Sequence, residues 1–214
     1  MKQLLLDIQP TPLPTLTNFV VGRNAEALHN LQLAASGNAE ARFVYIWGAT
    51  GSGKSHLLQA CTALAQQQDV QLITLDNVHL LDNDAQIALF NTYNELRNGV
   101  HERSALLVSG IAAPTQMQLR DDLATRLAWG LVYQIHPLSD MEKAHALKAH
   151  AAERGIKLGD DVIAYCLRHL RRDLPNLMAT LDALDKWSLT MKKPVTVPLL
   201  RQLLQFSLDF YHEP

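Results

Sequence analysis

The octapeptide GATGSGKS, at residues 48–55, constrains the fold more than any other feature of the chain. It fits the pattern G-x-x-x-x-G-K-[S/T] in full, and it lies between an apolar run, RFVYIW (42–47), and a run of helical periodicity that begins at Lys54. A strand, a glycine-rich turn and a helix in that order form the phosphate-binding unit of P-loop proteins. The alternative is a fortuitous glycine-rich loop, and the agreement between the motif and its surroundings argues against it.

Each residue type in this loop has a chemical reason to be there. The glycines allow the backbone to turn its N–H groups toward phosphate oxygens, and the helix beginning at Lys54 offers its positive N-terminus. Lys54 is expected to reach the β and γ phosphates, and the Ser55 hydroxyl is expected to hold Mg²⁺. The sequence therefore predicts ADP or ATP with Mg²⁺ as cofactors, bound by Gly48, Ala49, Thr50, Gly51, Ser52, Gly53, Lys54 and Ser55.

An acidic residue at the end of an apolar strand completes the predicted metal site. The run VQLITLD (70–76) supplies Asp76, so Ser55 and Asp76 are the candidate magnesium residues. The next residue is Asn77, where many P-loop ATPases have a second carboxylate that polarises the attacking water. Because an amide cannot act as a general base, we expect hydrolysis at this site to be weak or absent. The alternative for Asp76 is that it only caps the following turn.

Hydrophobic periodicity predicts an α/β fold followed by a helical region. Apolar runs alternate with helical patterns up to HPLSD, which indicates a parallel sheet covered by helices on both faces. Ser139 and Glu142 then form a capping box, after which the pattern is helical throughout. The predicted strands span 42–47, 70–76, 104–110 and 131–135. The predicted helices span 25–36, 54–67, 84–98, a short stretch before Trp129, 140–154, 160–169, 175–190 and 198–208.

Three segments follow from this pattern. Residues 1–17 contain Pro10, Pro12 and Pro14 and are predicted to be an extended arm. Residues 18–136 are predicted to be a P-loop nucleotide-binding domain with a three-layer parallel sheet, and residues 137–214 a small all-helical lid domain.

Composition excludes several classes of function. The net charge of −2 and the mixed charges give no strong field for nucleic acid or membranes. Cys61 and Cys166 lie far apart in predicted helices, which is typical of buried thiols in a reducing compartment. The first residues are too short and too weakly basic for a signal peptide, and no later window is long enough to span a membrane. We therefore expect a soluble cytoplasmic protein without a membrane partner.

Four stretches together resemble the DnaA-type AAA+ ATPases. They follow the landmarks of that family in order, and the match extends from Asn18 to about Leu204. The stretches are FVVGRNAEAL (19–28), FVYIWGATGSGKSHLLQA (43–60), LLVSG (106–110) and LATRLAWGLVYQI (123–135). We expect no further domain before the arm and no DNA-binding helix-turn-helix after the lid. The chain is thus similar to the regulatory members of the family, which inactivate DnaA after replication has started.

The resemblance gives roles to two further residues. Ser109, at the end of the third predicted strand, matches the sensor 1 residue that detects the γ-phosphate. Arg126, in TRLAWG, matches the arginine finger that acts in trans on the nucleotide of a neighbouring subunit. A guanidinium directed at phosphoryl oxygens stabilises the transition state and is worth roughly 10³ to 10⁵ in rate. Without the family pattern, Arg126 would be interpreted as a solvated surface residue.

Two departures from the family change what it implies. The sensor 2 arginine of the lid is replaced by Pro175, which can start a helix but cannot contact phosphate; Arg171 or Arg172 is the alternative. The simpler interpretation is a nucleotide held without feedback from the lid, for example as ADP. The segment from Lys54 to Asp76 is also too short for the strand and helix that AAA+ domains have there. Because the missing unit forms the edge of the sheet, we expect a four-stranded sheet, unless the record omits a segment.

The first residues resemble the peptide with which bacterial proteins dock on the replication sliding clamp. In QLLLDI the pattern Q-L-x-L-x-[L/F] is matched by Gln3, Leu4, Leu6 and Ile8. The partner implied is the beta subunit of DNA polymerase III, with DNA contacted through the clamp. The alternative is an arm folded onto its own domain. A similar run, QFSLDF (205–210), is interpreted as the continuation of the last lid helix, with a second docking peptide as its alternative.

These observations predict a negative regulator of DNA replication initiation. It would dock on the clamp through residues 3–8 and present Arg126 to ATP bound by DnaA, converting DnaA-ATP to DnaA-ADP. The alternatives are a stand-alone AAA+ ATPase of the helicase-loader type, and a DnaA-like adaptor that binds DNA. The sequence leaves open the resident nucleotide and self-association as a homodimer.

Overall fold

The computed structural model describes residues 13–99, 103–171 and 173–210, with the backbone alone for 206–210. The chain divides into two compact units at residues 137 and 138. Residues Leu13–Pro137 form the first, which we call the sheet unit, and the described residues from Leu138 onward form the second, the lid unit. The predicted boundary between residues 136 and 137 lies one residue away.

The sheet unit contains four parallel strands. They are β1 (Phe43–Trp47), β2 (Gln71–Leu75), β3 (Ser104–Gly110) and β4 (Leu131–Gln134). Their order across the sheet is β2-β3-β1-β4, and every pairing is parallel. All seven residues of β3 are buried, because β3 has a strand on each side and is covered on both faces. The predicted parallel sheet is thereby confirmed, with each strand within one residue of its expected ends.

Helices cover both faces of this sheet. They are α1 (Ala25–Ala35), α2 (Lys54–Gln67), α3 (Asn83–Arg97) and α4 (Asp121–Trp129). Alternate residues of a strand point to opposite faces, so Val44 and Ile46 join a core with α1 and α2, whereas Tyr45 joins one with α3 and α4. The fold of this unit is therefore three layers with two hydrophobic cores, as the sequence predicts.

The strand that precedes Asp76 lies at the edge of the sheet. β2 pairs with β3 alone, and the side chains of Gln71 and Thr74 are exposed. Helix α2 leads into β2 through a short turn, without a further strand and helix between them. The expected four-stranded sheet is therefore observed, with β2 at one of its edges.

The lid unit is built from four helices. They are α5 (Asp140–Glu153), α6 (Asp160–His169), α7 (Leu174–Met191) and α8 (Val197–Phe210). The capping box is confirmed: Ser139 accepts from the Glu142 backbone N–H, and the Glu142 carboxylate accepts from the Ser139 backbone N–H. The apolar faces of the four helices share one core around Leu147, Leu177, Leu184 and Leu200. Both cysteines are free and buried, Cys61 in α2 and Cys166 in α6, as expected.

The described part of the predicted arm lies on the sheet unit. Leu16 packs against the core that α1 and α2 share. The backbone N–H of Thr15 donates to the side-chain oxygen of Asn18 at 2.9 Å, and the Asn18 N–H donates back to the Thr15 hydroxyl at 3.1 Å. The sheet unit thus begins at Leu13, five residues before its predicted start. The docking peptide at residues 3–8 lies outside the described residues.

None of the helices in the described ranges combines the length and the apolar character that crossing a membrane would require.

Candidate nucleotide-binding site

The glycine-rich loop connects β1 to α2 and is shaped by close backbone contacts. Gly53 is the N-cap of α2 with φ of 99°, and a Cβ there would lie 2.8 Å from Cε2 of Phe19. At Gly48, with φ of 156°, a Cβ would lie 2.3 Å from the carbonyl oxygen of Ile135, just beyond β4. Neither position can accept a side chain without moving its neighbours, so these two glycines are required by the fold as well as by phosphate binding.

Lys54, the first residue of α2, directs its ammonium group back onto the loop. Its Nζ donates to the carbonyl oxygens of Gly48 at 2.8 Å and Ala49 at 3.1 Å, and the residue is only 7% exposed. Burial lowers the pKa of Lys54, while the negative charge of Asp76 acts in the opposite direction. The ammonium is therefore held beneath a loop whose tip, Ala49 to Gly51, is exposed.

Three predicted residues from three different elements meet at the carboxyl ends of the strands. The Ser55 hydroxyl donates to Oδ2 of Asp76 at 2.6 Å, and the Ser109 hydroxyl donates to Oδ1. Ser109 is completely buried at the end of β3. The register of β2 and β3 places the ends of these strands side by side. Asp76, a predicted metal residue, is therefore hydrogen-bonded directly to Ser109, the predicted γ-phosphate sensor.

The charge of Asp76 is maintained by its hydrogen bonds. Burial by itself would raise its pKa, but the hydroxyls of Ser109 and Ser55, the backbone of Asn77 and the charge of Lys54 together hold the pKa below its ordinary value. The group is therefore an anion at neutral pH, directly beside the Ser55 hydroxyl. A carboxylate and a hydroxyl are the hard oxygen ligands that Mg²⁺ takes beside phosphates, so this pair fits a magnesium ion.

Asn77 has a backbone conformation that explains its residue type. Its φ of 56° and ψ of 52° are left-handed, a region that asparagine tolerates better than most residues. Its N–H donates to the Ser109 hydroxyl at 3.0 Å, which connects it to the Asp76 cluster. The amide therefore has a structural reason to stand where a second carboxylate would otherwise act on water.

Two contacts and one buried hydroxyl around the loop were not predicted from the sequence. The carbonyl oxygen of Thr15 lies 3.0 Å from Nε2 of His56, and the ring of Phe19 lies 5.6 Å from the His56 ring. The segment before α1 is thus attached to the first turn of α2. The Ser52 hydroxyl is buried within the loop and has no hydrogen-bond partner among the described residues. No local sequence pattern indicates these contacts, because α1 and β1 lie in the chain between Phe19 and His56.

Arg126 does not take part in the hydrogen bonds of this cluster. It lies in the last turn of α4, half-buried, with its Cζ 4.4 Å from the centre of the Trp129 ring and 5.8 Å from that of Phe90. Its neighbour one helical turn earlier, Asp122, is paired with Arg120 at 3.0 Å. Among the residues that the structure describes, Arg126 has no ion pair.

Pro175, which the resemblance aligns with the sensor 2 arginine of the family, starts a helix in the lid unit. Pro175 occupies the first turn of α7, whose N-cap is Asp173, with its side chain accepting from the N–H of Asn176 at 3.0 Å. Proline is favoured there because the first helical N–H groups have no intrahelical partner. Arg171 is exposed just before this cap, and Arg172 lies outside the described residues.

Two family models match parts of the chain. Residues 140–204 match the model described as the Hda lid domain, and residues 12–72 match that of the bacterial DnaA ATPase domain. The first match covers most of the lid unit. The second match begins one residue before Leu13, the first described residue of the sheet unit, and it ends within β2.

Solved structures share the fold. Domain III of Thermotoga maritima DnaA is 20% identical, with a TM-score of 0.69, over 91% of this chain and 96% of that one. Aquifex aeolicus DnaA bound to AMPPCP is 22% identical with a TM-score of 0.66, over 81% of this chain. The RuvB branch migration motor of Thermotoga maritima is 12% identical with a TM-score of 0.65, over 93%. The fold is therefore an AAA+ domain followed by a helical lid. The chain spans 65% of the length of the Aquifex aeolicus DnaA chain that it matches.

Proposed function

Because this chain is an Hda-like, DnaA-related protein, we propose that it is a cytoplasmic negative regulator of replication initiation. It binds ADP or ATP with Mg²⁺ at the cluster of Lys54, Ser55, Asp76 and Ser109. It stimulates hydrolysis of ATP held by DnaA, and Arg126 is the group that it adds to that site. In this function the protein activates an ATPase and is itself a weak or inactive one.

The observation that carries this proposal is the state of Arg126. Arg126 is half-buried and has no acidic partner among the described residues, so its guanidinium is available to pair with an anion from another molecule. Guanidinium groups bind phosphoryl oxygens through two parallel hydrogen bonds, and this geometry is what a transition state with charge on several oxygens requires. Arg126 lies outside the hydrogen bonds around Asp76, which supports action on a nucleotide other than its own.

The resident nucleotide then has a structural role. The site supplies a lysine, a hydroxyl and one carboxylate, and the residue after that carboxylate is Asn77. Binding needs these groups, whereas attack by water needs an additional base. We therefore expect the nucleotide to persist through many rounds of DnaA-bound hydrolysis.

Docking on the sliding clamp is proposed for Gln3, Leu4, Leu6 and Ile8 on the basis of their sequence pattern. Each buried leucine contributes about 1.5 to 3 kcal/mol before the cost of ordering the peptide. The rival stretch at residues 205–210 is helical to Phe210 as the end of α8, and an extended docking peptide would have to unwind it. Helical backbone at that stretch supports the N-terminal peptide as the docking element, with DNA contacted through the clamp.

The experiment that tests the proposal measures hydrolysis of radiolabelled ATP pre-bound to DnaA, with and without clamp loaded on DNA. Arg126→Ala is expected to lower stimulation by roughly 10³-fold or more, because one transition-state arginine is lost. The double variant Gln3→Ala/Leu4→Ala is expected to lose the dependence on clamp.

Two results would contradict the proposal. Wild-type stimulation by Arg126→Ala would exclude the finger, and stimulation that needs no clamp would exclude the docking peptide. Gln205→Ala is the matched control for the peptide, since it changes the same residue type in the rival pattern. Rapid ATP turnover by the protein alone would favour a stand-alone ATPase instead.

A further inference from the structure

Two arginines share one tryptophan at the ends of α3 and α4. Arg97 is the last residue of α3, and its Cζ lies 5.0 Å from the centre of the Trp129 ring. Arg126 lies 4.4 Å from the same ring centre. The two guanidinium groups are therefore no farther apart than the sum of those distances, although α3 and α4 are separated in the chain by β3.

A second observation places both cations in the same environment. Burial raises the pKa of Tyr93, and the positive charges of Arg97 and Arg126 both oppose that rise. Each guanidinium is thus close enough to one phenol group to act on its charge. Tyr93 is buried beneath them, on the core that α3 and α4 share.

No carboxylate among the described residues neutralises this pair. Asp122, one turn before Arg126, forms its ion pair with Arg120 through two hydrogen bonds. Glu95 is two residues from Arg97, a spacing that does not place two side chains on the same helix face. Two like charges beside the same ring repel each other, and an anion from outside these residues would relieve that repulsion.

The aromatic ring that both arginines contact, that of Trp129, is exposed to solvent. Trp129 is 59% exposed although it is a large apolar side chain, and Phe90 beside it is half-buried. A guanidinium stacked on an aromatic ring keeps its hydrogen-bonding edge free while the ring restricts its direction. Tryptophan and arginine are also the residue types enriched at the centres of protein interfaces.

We propose that Arg97 is a second phosphate-binding arginine, which contacts the same triphosphate as Arg126, and that Trp129 is the positioning residue for both guanidinium groups. This inference rests on the proposed function, in which the triphosphate is ATP held by DnaA. The two guanidinium groups together offer more N–H donors to the oxygens of adjacent phosphates than a single arginine does.

The charge distribution favours a compact polyphosphate over a nucleic acid. Binding along a nucleic-acid backbone depends on many dispersed cations, and the chain has a net charge of −2. Here two cations are concentrated around one ring. Such a pair matches the dense negative charge of a triphosphate.

The test measures hydrolysis of DnaA-bound ATP over a range of regulator concentrations, with clamp loaded on DNA. Arg97→Gln is expected to lower the maximal rate about tenfold at saturation, since a charge-assisted hydrogen bond to phosphate is lost. The matched control is Arg201→Gln, which removes an exposed arginine stacked on Tyr165 in the lid unit, 5.2 Å from its ring centre. This control is expected to keep the wild-type rate.

The positioning role of Trp129 is tested by rescue. Trp129→Leu is expected to lower the maximal rate, whereas Trp129→Phe, which keeps an aromatic face, is expected to retain most of it. Equal rates for the two variants would overturn this role. A change in half-saturating concentration alone for Arg97→Gln would place Arg97 in docking and overturn its contact with phosphate.

Failure of this inference is distinguishable from failure of the proposed function. If Arg126→Ala abolishes stimulation while Arg97→Gln stimulates like the wild type, then Arg97 has no part in the site and the proposed function stands. If Arg126→Ala has no effect, then the proposed function fails and the inference fails with it.

Discussion

Ser109 connects the Asp76 carboxylate to the end of β3. Its hydroxyl donates to Asp76 and accepts from the Asn77 N–H, so one buried side chain fixes both residues at the carboxyl end of β2. The sequence predicted Ser109 and Asp76 as separate contributors to nucleotide binding. The structure makes them direct partners, because β2 and β3 are neighbours in register.

Replacing Ser109 by alanine is expected to raise the pKa of Asp76 and to destabilise the sheet unit by about 1 kcal/mol. The folded pKa of Asp76 lies below its unfolded value, so its stabilisation is complete above about pH 4 and is lost as the pH falls through the folded pKa. The difference in stability between wild type and Ser109→Ala is therefore expected at neutral pH and should shrink on acidification. Carboxyl-carbon NMR titration and urea unfolding at several pH values measure the two effects.

The control for this prediction is Ser188→Ala in the lid unit. Ser188 donates its hydroxyl to the carbonyl oxygen of Lys193 at 2.6 Å, so its replacement also removes one hydrogen bond but affects no carboxylate. Its cost in stability should not change near the pKa of Asp76. An unchanged Asp76 titration in Ser109→Ala would show that the serine does not maintain the anion.

The sequence indicates the loop residues by a local pattern, but of the two arginines beside Trp129 it indicates only Arg126. GATGSGKS is a local pattern because its consecutive positions form one turn between β1 and α2. Trp129 and Arg97 belong to different helices and meet only because α3 and α4 pack side by side. No local pattern contains such a contact, so the sequence predicted Arg126 by resemblance and gave no role to Arg97.

At the scale of the elements, hydrophobic pattern and caps determined most of what was predicted. Ser139 and Glu142 specified the start of α5, and Pro175 specified a helix start in the place of a phosphate contact. The segment at residues 13–17 was misjudged, because its prolines suggested an arm whereas Leu16 supplies apolar area that the sheet unit buries.

Replacing Ser139 by alanine is expected to destabilise the lid unit by about 1 kcal/mol, because the capping box loses its side-chain acceptor. Cys166, buried in α6, reports the opening of this unit. Its alkylation in the native protein should become about five times faster, the change that such a loss of stability produces. Ser139→Asn, which keeps a good N-cap, should label at nearly the wild-type rate. An equal acceleration by both variants would mean that the cap does not limit opening.

At the scale of the whole molecule, the chain places one buried cysteine in each unit. Burial raises the pKa of Cys61 to about 12 and that of Cys166 to about 11, so neither thiol reacts readily while its unit is closed. Cys61 lies in α2, the helix that starts at Lys54, and Cys166 lies in the lid core. The wild-type chain therefore carries its own reporter of opening for each unit.

Saturating ADP is expected to slow alkylation of Cys61 while leaving that of Cys166 unchanged. At a ligand concentration of 100 times Kd, binding stabilises the sheet unit by about 2.7 kcal/mol, which corresponds to about a hundredfold slower labelling. The lid thiol is expected to be unaffected because Pro175 stands where the resemblance implies an arginine that contacts phosphate. Mass spectrometry of the alkylated peptides measures both sites in one sample.

In Lys54→Ala the effect of ADP on Cys61 should disappear, because the ammonium that binds phosphate is gone. Equal protection of both cysteines by ADP in the wild type would contradict the expected absence of lid feedback. It would identify Arg171 or Arg172 as candidates for the missing contact.

Asp76 directly follows β2, which is one of the two edge strands and pairs with β3 alone. Margins of sheets fray more readily than their centres, and each fraying of β2 would carry Asp76 away from Ser55 and Ser109. If Ser55 and Asp76 held Mg²⁺ and the loop held the nucleotide, the bound ligands would stabilise this edge of the sheet. In a protein with little turnover of its own, a bound nucleotide would then keep this edge of the sheet ordered for a long time.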